Sequence, residues 1–380
     1  MVENVCHYSH LDLSNVIIIA AQHLQPTTWK MVNSWIRFGL EPENCHLIGK
    51  CYSTDPLTVA RLRENGVKVA SSSESYNSHQ TFDDNYQQQI ELFVKTTLDE
   101  ISTNSTCRRI IVLDDGGYLL GSICNQISSF AQPVVGIEQT TSGFDALARH
   151  DLPFPIINVA RSWAKLRLEP SLIARKARIC LHRSLEHQIA TVCKALIIGH
   201  GVIGRAIQNS LPAHWQVDAF DRLSATARSP SDMGQFCRAG EYDIIFGCTG
   251  NTILHGMALV DSERTIQLAS LSSSDREFDA TSLRRLAPPS TDCHKNITIG
   301  STTLLNSGFP INFLADPALN DSEEFELTRS LLTGAVCQAM SVVPGGETGL
   351  IDLNNPIQHF IALQYLSDYQ TSKSASKALA

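Results

Sequence analysis

The chain has 380 residues, 43% of them hydrophobic, and a formal net charge of -8. That length accommodates two domains, each with its own core. The acidic balance, with no long run of Lys or Arg, excludes nucleic acid as the main partner, because phosphate binding needs concentrated positive charge.

No apolar stretch approaches the roughly 20 residues that cross a bilayer, so no membrane partner is expected. The N-terminus MVENVCHYSHLDLSN lacks a basic region followed by an apolar core; no signal peptide is expected, and the reading is cytoplasmic. The eleven cysteines stand singly without a C-x-x-C pair, as reduced, buried thiols do; neither a disulfide framework nor a metal site is expected.

Strands and helices alternate from the start. Asn15–Ala21 (NVIIIAA) reads as a buried strand and Thr27–Phe38 as a helix. Cys45–Gly49 is a strand, Pro56–Asn65 a helix and Val67–Ala70 a short strand. Asp84–Ser102 has helical periodicity. Arg109–Leu113 is a strand ending in the turn Asp114-Asp115-Gly116-Gly117. Val134–Ile137 and Pro155–Val159 are further strands. A charged helical stretch, Pro170–Val192, then leads into a second series. There, Lys194–Ile198, Trp215–Phe220, Asp243–Phe246, Thr265–Ala269 and Ile297–Ile299 read as strands, with helices over Val202–Leu211 and Ser322–Ser341. The tail 373–380 reads as frayed.

This alternation implies an α/β fold with mostly parallel sheets covered on both faces. The expectation is two doubly wound domains joined by a hinge, the second a Rossmann dinucleotide-binding domain. Residues 1–170 form the substrate domain, with 352–380 packing back on it. Residues 171–193 connect, and 194–351 form the cofactor domain.

The glycine-rich loop Gly199-His200-Gly201-Val202-Ile203-Gly204 follows an apolar strand and opens a helix. Gly199 permits the tight turn, Gly201 admits a pyrophosphate close to the backbone, and Gly204 lets helix and strand pack closely. Free N–H groups at the helix start favour phosphate. About seventeen residues past Gly204, the second strand ends in Asp221, whose carboxylate suits the ribose hydroxyls of NAD and repels the 2′-phosphate of NADP. Arg222 beside it weakens that preference. Asp218 is a second candidate acid.

Several separated motifs stand in a definite order: His23 after the first strand, Ser53-Thr54, LDDGG at 113–117, EQTTSG at 138–143, PIINV with Lys165 beyond it, GHGVIG, CTGN at 248–251 and LLNSG at 304–308. In order and spacing they resemble the S-adenosylhomocysteine hydrolase family, over about residues 15 to 345. The resemblance implies that bound NAD oxidises a ribose 3′-hydroxyl, that the neighbouring 4′ proton is then lost, and that a 5′ thioether is eliminated and replaced by water. It implies Lys165 and Glu169 at the 3′-hydroxyl, Asp115 near C4′ and His23 near the 5′ position. Family members carry Asp where this chain has Glu169. On the cofactor side it implies Thr140, Thr141, Ser142, Thr249, Gly250, Asn251 and Asn306. Taken singly, each of these has a plainer structural reading, as a turn, a helix cap or a solvated charge.

The departures from the family concentrate on the substrate side. A ribose-holding carboxylate is here the amide Gln139. Adenine-binding Thr and Glu positions are Gln25 and Thr27. An Asn is Ala160, the acid after DDGG is Tyr118, and two histidine motifs read Ser270-Leu271-Ser272 and Gly308-Phe309-Pro310-Ile311. The family's long C-terminal tail has no counterpart. A buried site built for one hydrogen-bond pattern rejects another, so weak or no hydrolysis of S-adenosylhomocysteine is expected. The leading reading is an NAD-dependent enzyme acting on a nucleoside-like small molecule, as a homo-oligomer with a dimer favoured. The alternatives are an oxidoreductase or epimerase of another nucleoside or cyclic polyol, and a catalytically silent NAD-binding regulator.

Overall fold

The computed structural model describes residues 1–101, 107–130, 132–185, 194–221, 241–254, 260, 264–313 and 325–378, with side chains as far as 368. The chain divides into two units. Unit 1 comprises Met1–Glu74, Gln87–Glu169 and Pro317–Ala380; unit 2 comprises Ser75–Tyr86 and Pro170–Asp316.

Unit 1 is built on a seven-stranded sheet of β1 (Val16–Ala21), β2 (Cys45–Ile48), β3 (Lys68–Val69), β4 (Arg109–Asp114), β5 (Val134–Glu138), β6 (Pro155–Asn158) and β13 (Gly349–Asp352). Their order across the sheet is β13-β6-β5-β4-β1-β2-β3, and every pairing is parallel. All six residues of β1 are buried and β4 is buried from Ile110 on. That is why these strands read as continuous apolar runs: both faces of a parallel sheet are covered by helices. The strand order reverses direction between β1 and β4, the topological position beyond whose carboxyl ends parallel sheets commonly hold ligands.

Helix α1 (Val2–Tyr8) precedes β1, α4 (Phe82–Ile101) precedes β4, and α5 (Tyr118–Asn125) follows it. Local chemistry fixes the helices that leave the carboxyl ends of β1, β2 and β5. Helix α2 (Pro26–Arg37) starts with a capping box between Gln25 and Thr28, with Pro26 in its first turn. Helix α3 (Pro56–Glu64) is capped by Asp55, which accepts from the Thr58 amide at 2.9 Å. Helix α6 (Thr141–Leu147) is capped by Thr140, which accepts from the Gly143 amide at 3.0 Å.

Unit 2 carries a six-stranded sheet of β7 (Lys194–Ile198), β8 (Gln216–Phe220), β9 (Ile244–Gly247), β10 (Ile266–Ser270), β11 (Ile297–Ile299) and β12 (Thr302–Leu304), in the order β11-β12-β10-β9-β7-β8. Only the β11–β12 pairing is antiparallel. Its core includes Ile198, Phe220, Ile245, Leu268 and Phe278. The order reverses at β7, whose carboxyl end is the glycine loop. That loop leads into a helix over Val202–Ser210.

The α/β class and the two parallel sheets match the sequence reading. The boundaries differ in places. Helix α7 runs Trp163–Leu185, so it begins seven residues before the expected start and carries Pro170 inside; the helix at the glycine loop is then α8. Residues 186–193 lie outside the described residues, as do 222–240. The division into units also departs from the linear scheme. Residues 75–86 cluster with unit 2, where Asp275 accepts from the Phe82 amide at 3.2 Å and Arg284 donates to the carbonyls of Ser78 and Gln80 at 3.1 and 2.9 Å. Helix Glu326–Ser341 belongs to unit 1 rather than to the cofactor domain. Thr333 meets the Trp35 indole N–H at 3.2 Å, and Val342 beyond the helix accepts from Arg109 at 2.7 Å. Among the described residues no helix is long and apolar enough to cross a membrane.

Candidate functional site

In unit 1 the residues that follow β1, β2, β4 and β5 meet in one hydrogen-bonded network. Asp115 is its centre. Its Oδ2 accepts from the Gln139 amide and lies 3.1 Å from His23 Nε2; its Oδ1 is bonded by Lys50 Nζ. Lys50 and Asp115 are each 2% exposed. Burial pushes the Asp115 carboxyl up, but the Lys50 ammonium and His23 more than offset it and hold it well below the usual carboxylate range. Burial pushes His23 down despite Asp115. Its ring Nε2 faces Asp115 and its Nδ1 lies 2.5 Å from the Ser53 hydroxyl oxygen.

The two acids of the DDGG turn have separate duties. Asp114 accepts the amides of Asp115 and Leu120 at 2.7 and 2.8 Å and so closes the turn. Gly116 and Gly117 carry φ of 118° and 82°, which side chains rarely adopt. The turn presses on α6, since a Cβ on Gly117 would lie 3.0 Å from the Gly143 Cα.

Lys165 and Glu169 lie one turn apart on α7, their charged atoms 3.3 Å apart. Lys165 donates to the Gln139 carbonyl at 2.5 Å, and Glu169 accepts the Thr328 hydroxyl at 2.6 Å. Lys165 thus joins Asp115 through a single residue, Gln139. Glu138 is wholly buried. Its Oε1 accepts from the Thr140 amide and hydroxyl, each at 2.7 Å. Burial, with Asp114 nearby, pushes its carboxyl well up.

Other sequence candidates in unit 1 fall in two groups. Gln25 is committed to structure, since it caps α2 and donates to the Ser53 carbonyl at 2.8 Å. Thr27 is buried, and its hydroxyl has no partner among the described residues. Thr140 is a helix cap, whereas Thr141 and Ser142 stand exposed in the first turn of α6. Two residues that the sequence did not single out belong to the network: Lys50, and Arg329, which donates to Gln22 Oε1 at 2.6 Å and to the His23 carbonyl at 3.0 Å. The available signals were a lysine two places past a strand end and an arginine inside an otherwise apolar helical stretch.

In unit 2 the glycine loop is packed tightly at its first and last glycines and open at the middle one. Gly199 has φ of 94°, and a Cβ there would lie 2.8 Å from the Cys248 carbonyl. A Cβ on Gly204 would lie 2.0 Å from the Gly199 carbonyl oxygen, whereas one on Gly201 would meet nothing within 4 Å. Gly201 therefore borders open space at the start of α8, with Val202 exposed and Ile203 partly so. Asp221, just past β8, accepts the His200 amide at 2.8 Å, which sets it beside the loop; Asp218 bonds the Tyr242 hydroxyl instead, at 2.9 Å. Arg222 lies outside the described residues.

The Thr249-Gly250-Asn251 turn abuts Gly199 and is held by Glu277. One carboxylate oxygen accepts the Thr249 and Gly250 amides at 2.6 Å each and also the Ser272 hydroxyl; the other accepts the Thr249 hydroxyl at 2.9 Å. Asn251 is exposed at the tip. Asn306 is fully buried: its amide donates to the Pro310 carbonyl at 3.0 Å, and its oxygen meets His294 Nδ1 at 2.9 Å.

No protein-family profile matches the chain. Among curated sequences it is similar to two Mycobacterium tuberculosis proteins, "Uncharacterized protein Rv0104" and "Uncharacterized protein MT0113". Each is 38% identical over 362 residues, spanning 92% of this chain and 70% of the relative. Among solved structures it is similar to a dipicolinate synthase component from Bacillus halodurans, at 12% identity and a TM-score of 0.49. It is also similar to the NAD+-bound 3-phosphoglycerate dehydrogenase of Entamoeba histolytica, at 8% identity and a TM-score of 0.37. Each alignment covers 87% of this chain and 99% of the other, and both scores stay under 0.5.

Proposed function

The chain belongs to the family of the Mycobacterium tuberculosis protein Rv0104, and from that premise we propose that it is an NAD-dependent enzyme that oxidises a ribose-type 3′-hydroxyl and moves protons beside the resulting ketone. The substrate is a nucleoside thioether or a related nucleoside. One observation carries this reading: Lys165, Glu169, Gln139, Asp115 and His23, which come from four separate stretches of sequence, form one bonded network at the carboxyl edge of a parallel sheet. Dinucleotide binding alone would not require it.

The residues of unit 2 fit a dinucleotide. Gly201 leaves room for a pyrophosphate at the start of α8, and Asp221 beside it suits ribose hydroxyls. When bound, NAD would supply the hydride acceptor. In unit 1, Lys165 takes the proton of the reacting hydroxyl, and Glu169 holds the lysine in place. Asp115, an anion oriented by three donors, faces the acidified neighbouring carbon. His23 and Ser53 handle a proton at the leaving-group side.

A specific observation favours a second reading. A carboxylate that already accepts from Lys50, His23 and Gln139 is a poor proton acceptor. On that reading the enzyme is an oxidoreductase of a nucleoside or cyclic polyol and eliminates nothing. Incubation with a nucleoside panel in deuterated water separates the two. Reduction of bound NAD with deuterium entering the neighbouring C–H supports the first reading, and reduction alone supports the second. Lys165→Met should abolish reduction in either case. Asp115→Asn should leave reduction and stop exchange. Variants that match the wild type in both assays would remove these residues from the chemistry.

A further inference from the structure

Arg329 is 2% exposed, yet it has no carboxylate partner among the described residues. Its guanidinium donates only to Gln22 Oε1 and the His23 carbonyl, and its Nε–H has no acceptor among those residues. The side-chain amide of Gln22, itself 0% exposed, is likewise an unpartnered donor. The acids whose charge reaches Arg329, Asp115 and Glu169, spend their bonds elsewhere: Asp115 on Lys50, His23 and Gln139, and Glu169 on Lys165 and Thr328. Burial draws the arginine down to about 10 in spite of them.

A buried guanidinium without a counter-anion is costly, and so is a buried donor without an acceptor. Here two such donors sit on two side chains bonded to each other, directly behind His23. We propose that Arg329 and Gln22 form an anion subsite that receives the carboxylate of the substrate. The unpartnered donor atoms, Arg329 Nε and Gln22 Nε2, offer their N–H groups to the oxygens of a carboxylate. A phosphate dianion would meet more repulsion from Asp115 and Glu169 than a single carboxylate does. The substrate of unit 1 is then a nucleoside or polyol that carries a carboxylate. This inference rests on reading unit 1 as the substrate-holding unit, and it requires no dinucleotide.

The test is a titration of the full chain, labelled with 15N-arginine, at constant ionic strength. Sodium acetate, sodium phosphate and sodium chloride are added separately while the Arg329 Nε–H signal is followed, identified by its loss in Arg329→Lys. The expected result is a saturable shift with acetate, none with chloride, and binding of phosphate at least roughly tenfold weaker. Gln22→Leu should weaken acetate by roughly tenfold, as loss of one hydrogen bond to a charged group does. If that variant does not fold, the wild-type titration decides alone. A signal indifferent to acetate, as for an arginine bonded to an internal water, overturns the proposal, and so does a preference for phosphate. Acetate binding without any dinucleotide binding would sink the functional reading and leave the subsite standing; the converse result would do the reverse.

Discussion

Lys50 sets the charge at the centre of the unit 1 site, because its ammonium is bonded directly to the buried Asp115 carboxylate. Removing one member of a buried pair strands the other. Lys50→Met should therefore cost about 3–5 kcal/mol in urea unfolding. The double variant Lys50→Met with Asp115→Asn should cost less than Lys50→Met alone; an equal or larger cost would mean that the pair is not coupled. His46 gives a pH signature elsewhere in unit 1. It is 2% exposed, and burial, helped by Lys68 and opposed by Glu100, pushes it down to about 4. Its fold therefore favours the neutral ring. That stability is complete above the unfolded value near 6.5 and is lost as pH falls toward 4, a change of about 3 kcal/mol. Asp114, raised by burial to about 6, acts in the opposite sense, since the fold tolerates its protonated form. Comparing the wild type with His46→Leu isolates the histidine: their stability difference should shift by about 3 kcal/mol between pH 7 and pH 4, and a constant difference would refute the assignment. Asp115, Lys165 and Glu169 come forward from the sequence only through the family resemblance of their motifs. Lys50 and Arg329 do not, because nothing in a linear pattern says that a given charge is buried.

At the scale of elements, the strands that a sequence shows best are those covered on both faces. β1 and β4 are unbroken apolar runs. β12 (TTL) and β13 (GLID) are short, and β13 is half-exposed at a sheet edge, so neither stands out. In the sequence, helix α7 starts too late because Pro170 looks like a start signal; its true start at Trp163 places Lys165 and Glu169 on the same helical face. The glycine loop allows a clean separation of fold from binding. Gly204→Val should destabilise unit 2, since a side chain there collides with the Gly199 carbonyl. Gly201→Ala meets open space, so its thermal unfolding should match the wild type while NAD affinity falls roughly tenfold or more through the lost close approach of the pyrophosphate. Equal affinity, measured by calorimetric titration, would show that the loop is a packing device.

At the scale of the whole molecule, the linear pattern reveals two α/β units but suggests that they are consecutive stretches. The actual division is discontinuous, because buried polar ties such as Arg284 to Ser78 and Gln80 join positions about two hundred residues apart, and no local pattern announces such a tie. We propose that unit 2 holds a dinucleotide. A cycle that regenerates its cofactor is served by a cofactor that stays bound, so the most direct measurement is mass spectrometry of the small molecules released when purified protein is denatured, paired with a thermal-shift titration by NAD. Denatured protein should release NAD, or else added NAD should cause a saturable rise in unfolding temperature that Asp221→Ala diminishes. Absence of any dinucleotide, together with no shift at any NAD concentration, would contradict the proposal.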